Sequence, residues 1–527
     1  MRQEVSLSRA CGGAALSLFR RIGFAAPGAA LVAAPLVGCA PDAAPALGDT
    51  AAAPADVDPG WDIGAVEPCA APLAAAAWTD RSDLVDTADG YGGQRADEGE
   101  VALSRVDGEW ELVASYPGGA PRRSSLDGSA PEPLEAPFPT GRITWADLDA
   151  DGIDDLLMYS DGLAVRWGST GEVAALQEPT GEREIFDLSV ADFDGDGWLD
   201  VLAATLALHP PDEGEDAASD EAPPEIAWSL GGGQLEPLTP VTLDQDWGAA
   251  FDLSAIDWDK DGRLDAYVCN DGPHSEPDRV LCSRDRDFEV CDARGADLAT
   301  FCMGATFGDL DRDGLLDLYL TASGAHHLLL DSDAGFVDVT AAALDVSFDG
   351  DQMGWGAAIV DLDNDGLPDL LSANGDFAMR DGHWPLWVFM QQEGGALVER
   401  GADLGFPHEL AGRGLIARDL NADGVLDIVL GDMERPPWVW LSDGCTADAW
   451  LDVEAPAGSV VWAESGDQRW AALVTDDPGY GASAPPIAHL GLGAVTSVDR
   501  VRLVVPGGRE VALEGPLEPR RRLRWRP

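Results

Sequence analysis

Through the middle of the chain the apolar residues come in short runs separated by turn-forming residues. Leu156-Leu157-Met158-Tyr159, Val201-Leu202-Ala203, Ala266-Tyr267-Val268-Cys269, Leu318-Tyr319-Leu320, Leu370-Leu371 and Ile428-Val429-Leu430 are too short for helices, and their content suits buried strands. A second run follows each: Val165-Arg166-Trp167, Ile226-Ala227-Trp228, Val280-Leu281-Cys282, Leu328-Leu329-Leu330, Trp387-Val388-Phe389 and Trp438-Val439-Trp440. A small-residue turn and a further strand usually come next, as in Asp333-Ala334-Gly335-Phe336-Val337. The pattern predicts antiparallel hairpins and an all-β chain.

What precedes each first run is more specific. Asp361-Leu362-Asp363-Asn364-Asp365-Gly366-Leu367-Pro368-Asp369 carries carboxylates at positions 1, 3, 5 and 9 and glycine at 6. The same spacing gives Asp147, Asp149, Asp151 and Asp155; Asp192, Asp194, Asp196 and Asp200; Asp257, Asp259, Asp261 and Asp265; and Asp309, Asp311, Asp313 and Asp317. A sixth copy has Asp419, Asn421, Asp423 and Asp427. Alternate side chains of a tight loop can converge on one point, glycine permits the sharp turn, and oxygen ligands suit a hard cation. The pattern therefore predicts about six calcium ions, each with a further ligand from the backbone carbonyl at position 7: Ile153, Trp198, Arg263, Leu315, Leu367 and Val425. A strand follows each loop, and the loop closes with Asp at 9 instead of Glu at 12, which separates it from an EF-hand. No nucleophile or general base recurs beside the loops, so the expected role is structural and no catalytic residue is assigned.

The loops start 45, 65, 52, 52 and 58 residues apart. Several short strands per unit, repeated around a ring, describe the blades of a β-propeller. The units resemble FG-GAP/VCBS repeats, as in integrin-type propellers and the cartilage acidic protein family, and Met353-Gly354-Trp355-Gly356-Ala357 is similar to that family's approach to its loop. Residues 101–115 read as the outer hairpin of one more blade whose calcium loop is missing; 78–90 is the best candidate for it but lacks the spacing, so one blade is expected without calcium. Seven blades are expected, six being the alternative, over residues 67–448. From residue 449 to 527 the repeats stop. Gly479-Tyr480-Gly481-Ala482-Ser483, His489-Leu490-Gly491-Leu492-Gly493 and the stretch from Ser497 to Arg509 resemble the ASPIC/UnbV domain that follows the propeller in the same family. Independently, Val501-Arg502-Leu503-Val504-Val505 before Pro506-Gly507-Gly508 reads as a hairpin.

Charge narrows the partners. The 95 acidic against 33 basic residues give a formal net charge of −62, which argues against nucleic acid and for bound cations. The basic end, Arg520 to Arg526, is read as covering acidic propeller surface, with an anionic ligand as the competing view. At the other end, Arg20 and Arg21 precede an apolar run over 22–37 that ends in Leu36-Val37-Gly38-Cys39, which resembles a bacterial lipobox. That resemblance implies a signal peptide over 1–38 and lipidation of Cys39. Ala40 then implies an outer-membrane or cell-surface lipoprotein; an ordinary secretory peptide is the alternative. Residues 39–66 read as a disordered Ala/Pro tether, and 210–224 as an extended acidic loop.

Apart from Cys11 and Cys39, six cysteines remain, an even number suited to an oxidising compartment. Four lie within 269–302, favouring Cys282–Cys291 across a hairpin and Cys269–Cys302 between blades; Cys69 and Cys445 then staple the ends of the ring. A zinc site is the competing use, without a Cys-x-x-Cys pair to support it. His326-His327 is a turn or a pocket edge, and Trp384, Trp387, Trp438 and Trp440 are core residues or a sugar-stacking pair. The expected function is a non-enzymatic, calcium-binding envelope protein whose propeller binds a protein or glycan at the cell surface and meets the membrane through its lipid alone. The alternative is an extracellular polysaccharide lyase or hydrolase.

Overall fold

A computed structural model describes residues 61–526 except 68, 70–71, 74, 86–98, 107–108, 116–119, 208–221, 244–247, 272–275, 347–351 and 376–382. The expected signal peptide, Cys39, the tether up to residue 60, most of the acidic 210–224 loop and the end of the 78–90 stretch lie outside the described residues.

The short apolar runs are strands, and the units they belong to are antiparallel sheets in chain order. One runs Arg142–Ala146, Asp155–Tyr159, Leu163–Arg166 and Val173–Gln177. Among the described residues seven such sheets occur, here called blades 1 to 7, with first strands starting at Val101, Arg142, Arg183, Ala250, Cys302, Gly354 and Gly412. In blades 2 to 7 the acidic loop joins the first strand to the second, and the ninth-position aspartate closes the hairpin: Ala146 faces Asp155, Ile256 faces Asp265 and Val360 faces Asp369. Apolar clusters between blades hold the ring together, such as Leu202, Ile226 and Trp228 of blade 3 against Leu253, Val268 and Phe288 of blade 4. Burying each large side chain contributes about 1.5–3 kcal/mol.

Two expectations about the start of the ring are corrected. Val101–Val106 is an inner strand, not part of an outer hairpin: it pairs with Glu109–Ala114 on one side and with Ala482–Ser483 on the other. Val101, Ala102 and Leu103 are fully buried, and only residues 107 and 108 separate the two strands, leaving no room for a nine-residue loop. The stretch from Trp78 is not that blade's missing loop either. Trp78–Asp80 is the outermost strand of blade 7, beside Trp438–Ser442, so the chain's beginning completes its last blade. Cys69–Cys445 lies at the same closure, Cys269–Cys302 links blades 4 and 5, and Cys282–Cys291 spans the outer hairpin of blade 4. All six cysteines are thus paired, and none is a free thiolate for zinc.

Residues 449–526 form one four-stranded sheet and three strands of another around their own core of Val461, Trp470, Leu490, Val501 and Leu503. Asp62–Ile63 adds to one of them by pairing with Arg521–Arg524. The expected tether is therefore shorter than 39–66, because the backbone at its end finds an open sheet edge. The described residues include no helix long and apolar enough to cross a membrane.

Candidate metal sites and the filled channel

All six loops have one backbone plan. Position 4 is left-handed in each (Ala150, Gly195, Lys260, Arg312, Asn364, Ala422), and so is the glycine at position 6, whose φ runs from 85° to 94°. With the chain bent twice, the amide of the glycine donates to the first aspartate: Gly152 N–H to Asp147 at 2.9 Å, Gly366 N–H to Asp361 at 2.7 Å. In each loop the amide at position 7 donates to the carboxylate at position 5 at 2.9 Å, as Ile153 does to Asp151 and Trp198 to Asp196. Carboxylate oxygens of Asp147, Asp149 and Asp151 all lie within 4.8 Å of one another, and the same holds for Asp192, Asp194 and Asp196 and for Asp257, Asp259 and Asp265.

The ninth aspartate does more than the spacing indicates. One oxygen accepts the amide at position 2 and the other an amide at the end of the third strand. Asp155 takes Leu148 and Gly168, Asp265 takes Trp258 and Ser283, and Asp369 takes Leu362 and Gln391. It ties the loop to two strands at once.

Burial first, and neighbouring loop carboxylates after it, push these groups up: Asp257 to about 6, Asp309 to about 7 and Asp200 to about 7. Asp361, Asp369 and Asp317 are held well above the usual carboxylate range for the same reasons. Oδ1 of Asp257 and Oδ1 of Asp361 are buried with no hydrogen-bond partner. Orphaned acidic oxygens in converging sets fit a hard cation such as calcium; in the third loop Arg284 also reaches Asp259 at 2.9 Å and Asp261 at 3.5 Å.

The sixth loop differs. Arg522 places a guanidinium nitrogen 2.9 Å from Oδ2 of Asp419 and bridges on to Asp452 at 3.2 Å. Asn421 spends its amide on Ser442, and the Ser442 hydroxyl donates to Asp423. Part of the basic end thus covers acidic propeller surface, with a positive group already beside the first loop position.

The C-terminal module sits on the loops. Gly507 N–H donates to the Gly262 carbonyl at 2.5 Å, Trp462 Nε1 to Gly314 at 3.4 Å and Trp470 Nε1 to Gly366 at 3.2 Å. A Cβ on Gly424 would meet the Trp450 indole at 2.1 Å. Glycine at position 6 of loops 3 to 6 therefore serves the turn and the seat together. Beside Gly152 and Gly197, in loops 1 and 2, a Cβ would find nothing within 4 Å.

From this module residues 475–487 enter the ring. Ala482–Ser483 extends blade 1 as a parallel strand, and the Trp145 amide of blade 2 donates to Ser483 Oγ at 2.9 Å. Tyr480, 2 % exposed, is packed among Phe186, Phe251, Met303 and Trp355 of blades 3 to 6, while a Cβ on Gly414 of blade 7 would lie 1.9 Å from the Gly481 carbonyl. All seven blades touch this segment, so it lies along the axis. The repeat position five residues before each loop carries Gly304, Gly356 and Gly414 where Tyr480 and Gly481 press in, and Arg142, Asp187 and Asp252 on the other side. The motif around Tyr480 was visible in the sequence; its place in the channel was not. His326, expected at a turn or pocket edge, is fully buried, with Nδ1 2.8 Å from the Tyr319 hydroxyl.

Comparison with known proteins agrees with the repeats. A family model of the FG-GAP-like repeat matches residues 147–203 and 309–372, which begin at loops 1 and 4. The chain is thus a β-propeller in which these two stretches match an FG-GAP-like repeat. Similar solved structures include BBS1N in complex with ARL6DN, with TM-score 0.43 and 9% identity, covering 70% of this chain and 97% of that one. Another is the WD40 β-propeller domain of Doa1, with TM-score 0.41 and 10% identity over 71% and 97%. No curated protein matches the chain.

Proposed function

We propose that the protein is a non-enzymatic, calcium-stabilised binding protein of a bacterial envelope, anchored through Cys39, that meets a protein or glycan partner on the uncovered part of its loop face. The observation that carries this is the filled axis. A polysaccharide lyase or hydrolase working at a propeller's centre needs an open channel, and here Tyr480 and its neighbours occupy it. Recognition then falls to the outer surface. The C-terminal module covers loops 3 to 6, and the sector left open carries Trp198, Ile153 and Leu230, which are 36%, 48% and 59% exposed. Large apolar side chains beside an acidic loop offer a partner both stacking area and charge.

In this reading loops 1 to 5 hold calcium through the aspartates at positions 1, 3, 5 and 9 and the carbonyl at 7, while Arg522 supplies the positive charge in loop 6. The ions preorganise the hairpins and take no part in chemistry. The test is a combined protein and glycan array probed with purified protein in calcium, with Trp198→Ala beside it. Binding that the variant loses by about tenfold or more supports the reading, a loss worth about 1.4 kcal/mol. Turnover of any bound glycan overturns the non-enzymatic part.

A further inference from the structure

Outside the loops, one group of carboxylates has no role in the scheme above. Asp187 and Asp252 occupy the same repeat position in blades 3 and 4, on inner strands facing the axis. Asp187 Oδ2 accepts the Leu253 amide at 2.8 Å, which sets its carboxylate beside the backbone of Asp252. Asp252 is fully buried; its Oδ2 accepts the Ala305 amide at 2.9 Å, and its Oδ1 is left buried with no partner. A third carboxylate comes from the axial segment. Asp477 Oδ1 accepts the Gly479 amide at 3.2 Å, and Gly479 stands against Ala305, where a Cβ would be 3.5 Å from the Ala305 carbonyl. Asp477 Oδ2 is likewise buried and unpartnered.

The Arg142 guanidinium offsets only part of the Asp187 charge. Arg142 is fully buried and already pairs with Glu100 at 3.2 Å and Glu184 at 3.0 Å, so the surroundings remain acidic. Burial, and then the repulsion of Asp187, holds Asp252 well above the carboxylate range; burial and the charges of Asp187 and Asp252 do the same for Asp477.

We propose that Asp187, Asp252 and Asp477 bind a divalent cation at the seam between the ring and its axial segment. Two orphaned oxygens, one on each side of the seam, and the Asp187 carboxylate held on the amide that follows Asp252 are oxygen ligands suited to a hard ion such as calcium. The ion satisfies both oxygens and joins the C-terminal module to the propeller. This site is separate from the nine-residue loops and does not depend on their occupancy.

The experiment counts metal. Wild type and variants are dialysed to equilibrium against calcium held above the loop dissociation constants, and bound calcium is measured by elemental analysis as the excess over the dialysate. Asp252→Asn and Asp477→Asn each lose one equivalent, and the double variant loses the same single equivalent because one site is removed. Asp149→Asn, a loop control, combined with Asp252→Asn loses two. A cooperative melt in calcium confirms that each variant is folded, and Asp477→Asn, in a connecting segment, carries the test should Asp252→Asn not fold. Wild-type calcium counts in folded Asp477→Asn overturn the proposal and leave a shared proton between Asp252 and Asp477 as the account of the orphaned oxygens. Failure of the Asp149→Asn control alone would instead count against the loop sites.

Discussion

On the proposed reading, replacing calcium by EDTA leaves the crowded loop carboxylates without their ion. An ion that binds only the folded chain stabilises it by RT ln(1 + [Ca]/Kd). With dissociation constants of about 10⁻⁴ to 10⁻³ M, as in extracellular calcium modules, about 10 mM calcium contributes roughly 1.4 to 2.7 kcal/mol per site. Five loops, leaving out the one held by Arg522, then give about 7 to 14 kcal/mol. The unfolding entropy is about 2.1 cal/mol/K per residue, or about 1 kcal/mol/K over roughly 460 residues, so the melting temperature should fall by about 7 to 14 °C. Scanning calorimetry in calcium and in EDTA measures this directly, and magnesium at the same concentration should restore little of it. Asp149→Asn should remove about a fifth of the difference if loops contribute equally. A shift below about 2 °C would refute the structural role of the loops.

Other expectations rest on single contacts. Gly414→Ala puts a Cβ where the Gly481 carbonyl lies 1.9 Å away, so the axial segment must move. The cost should be about 1–3 kcal/mol, with new chymotrypsin cleavage after Tyr480; wild-type resistance would contradict the packing described. His326 is buried and its imidazole is pushed down to about 3, by burial first and then by His327. Between that value and about 6.5 the unfolded chain holds a proton that the folded chain lacks, so this group's contribution to stability falls as pH falls through that window. The stability advantage of wild type over His326→Gln should therefore shrink by about 2 kcal/mol between pH 7 and pH 5, as read by denaturant unfolding, and an advantage that grows would reverse the assignment. Trp198→Ala should leave the melting temperature within about 2 °C of wild type, since a partly exposed side chain contributes little to the core.

Much of the ring was legible because its signals are local. Loop and strand alternate within one unit, and position 6 demands glycine for a reason that sequence displays. Position 4 is equally left-handed, yet Ala150, Lys260, Arg312 and Ala422 give no sign of it, because the loop's other contacts impose the conformation. The second duty of the ninth aspartate was also hidden. Its partners are backbone amides, which carry no letter in the sequence. Blade 1 misled because Val101 to Ser115 has the alternation of any exposed-edge hairpin, whereas its inner position is set by Ala482–Ser483, nearly 400 residues later. The seat of the C-terminal module could not be read either: the glycines that receive it were already explained by the turn.

The strand Trp78–Asp80 finds its neighbour only when Trp438–Ser442 exists. At about 5–20 residues per second, a ribosome needs roughly 20 to 70 s to make the intervening chain. Throughout that interval the opening segment has nowhere to dock. A product truncated before the last unit would keep an open rim of unpaired backbone, a natural mark for proteases, so the closure also acts as a check that synthesis has passed Ser442.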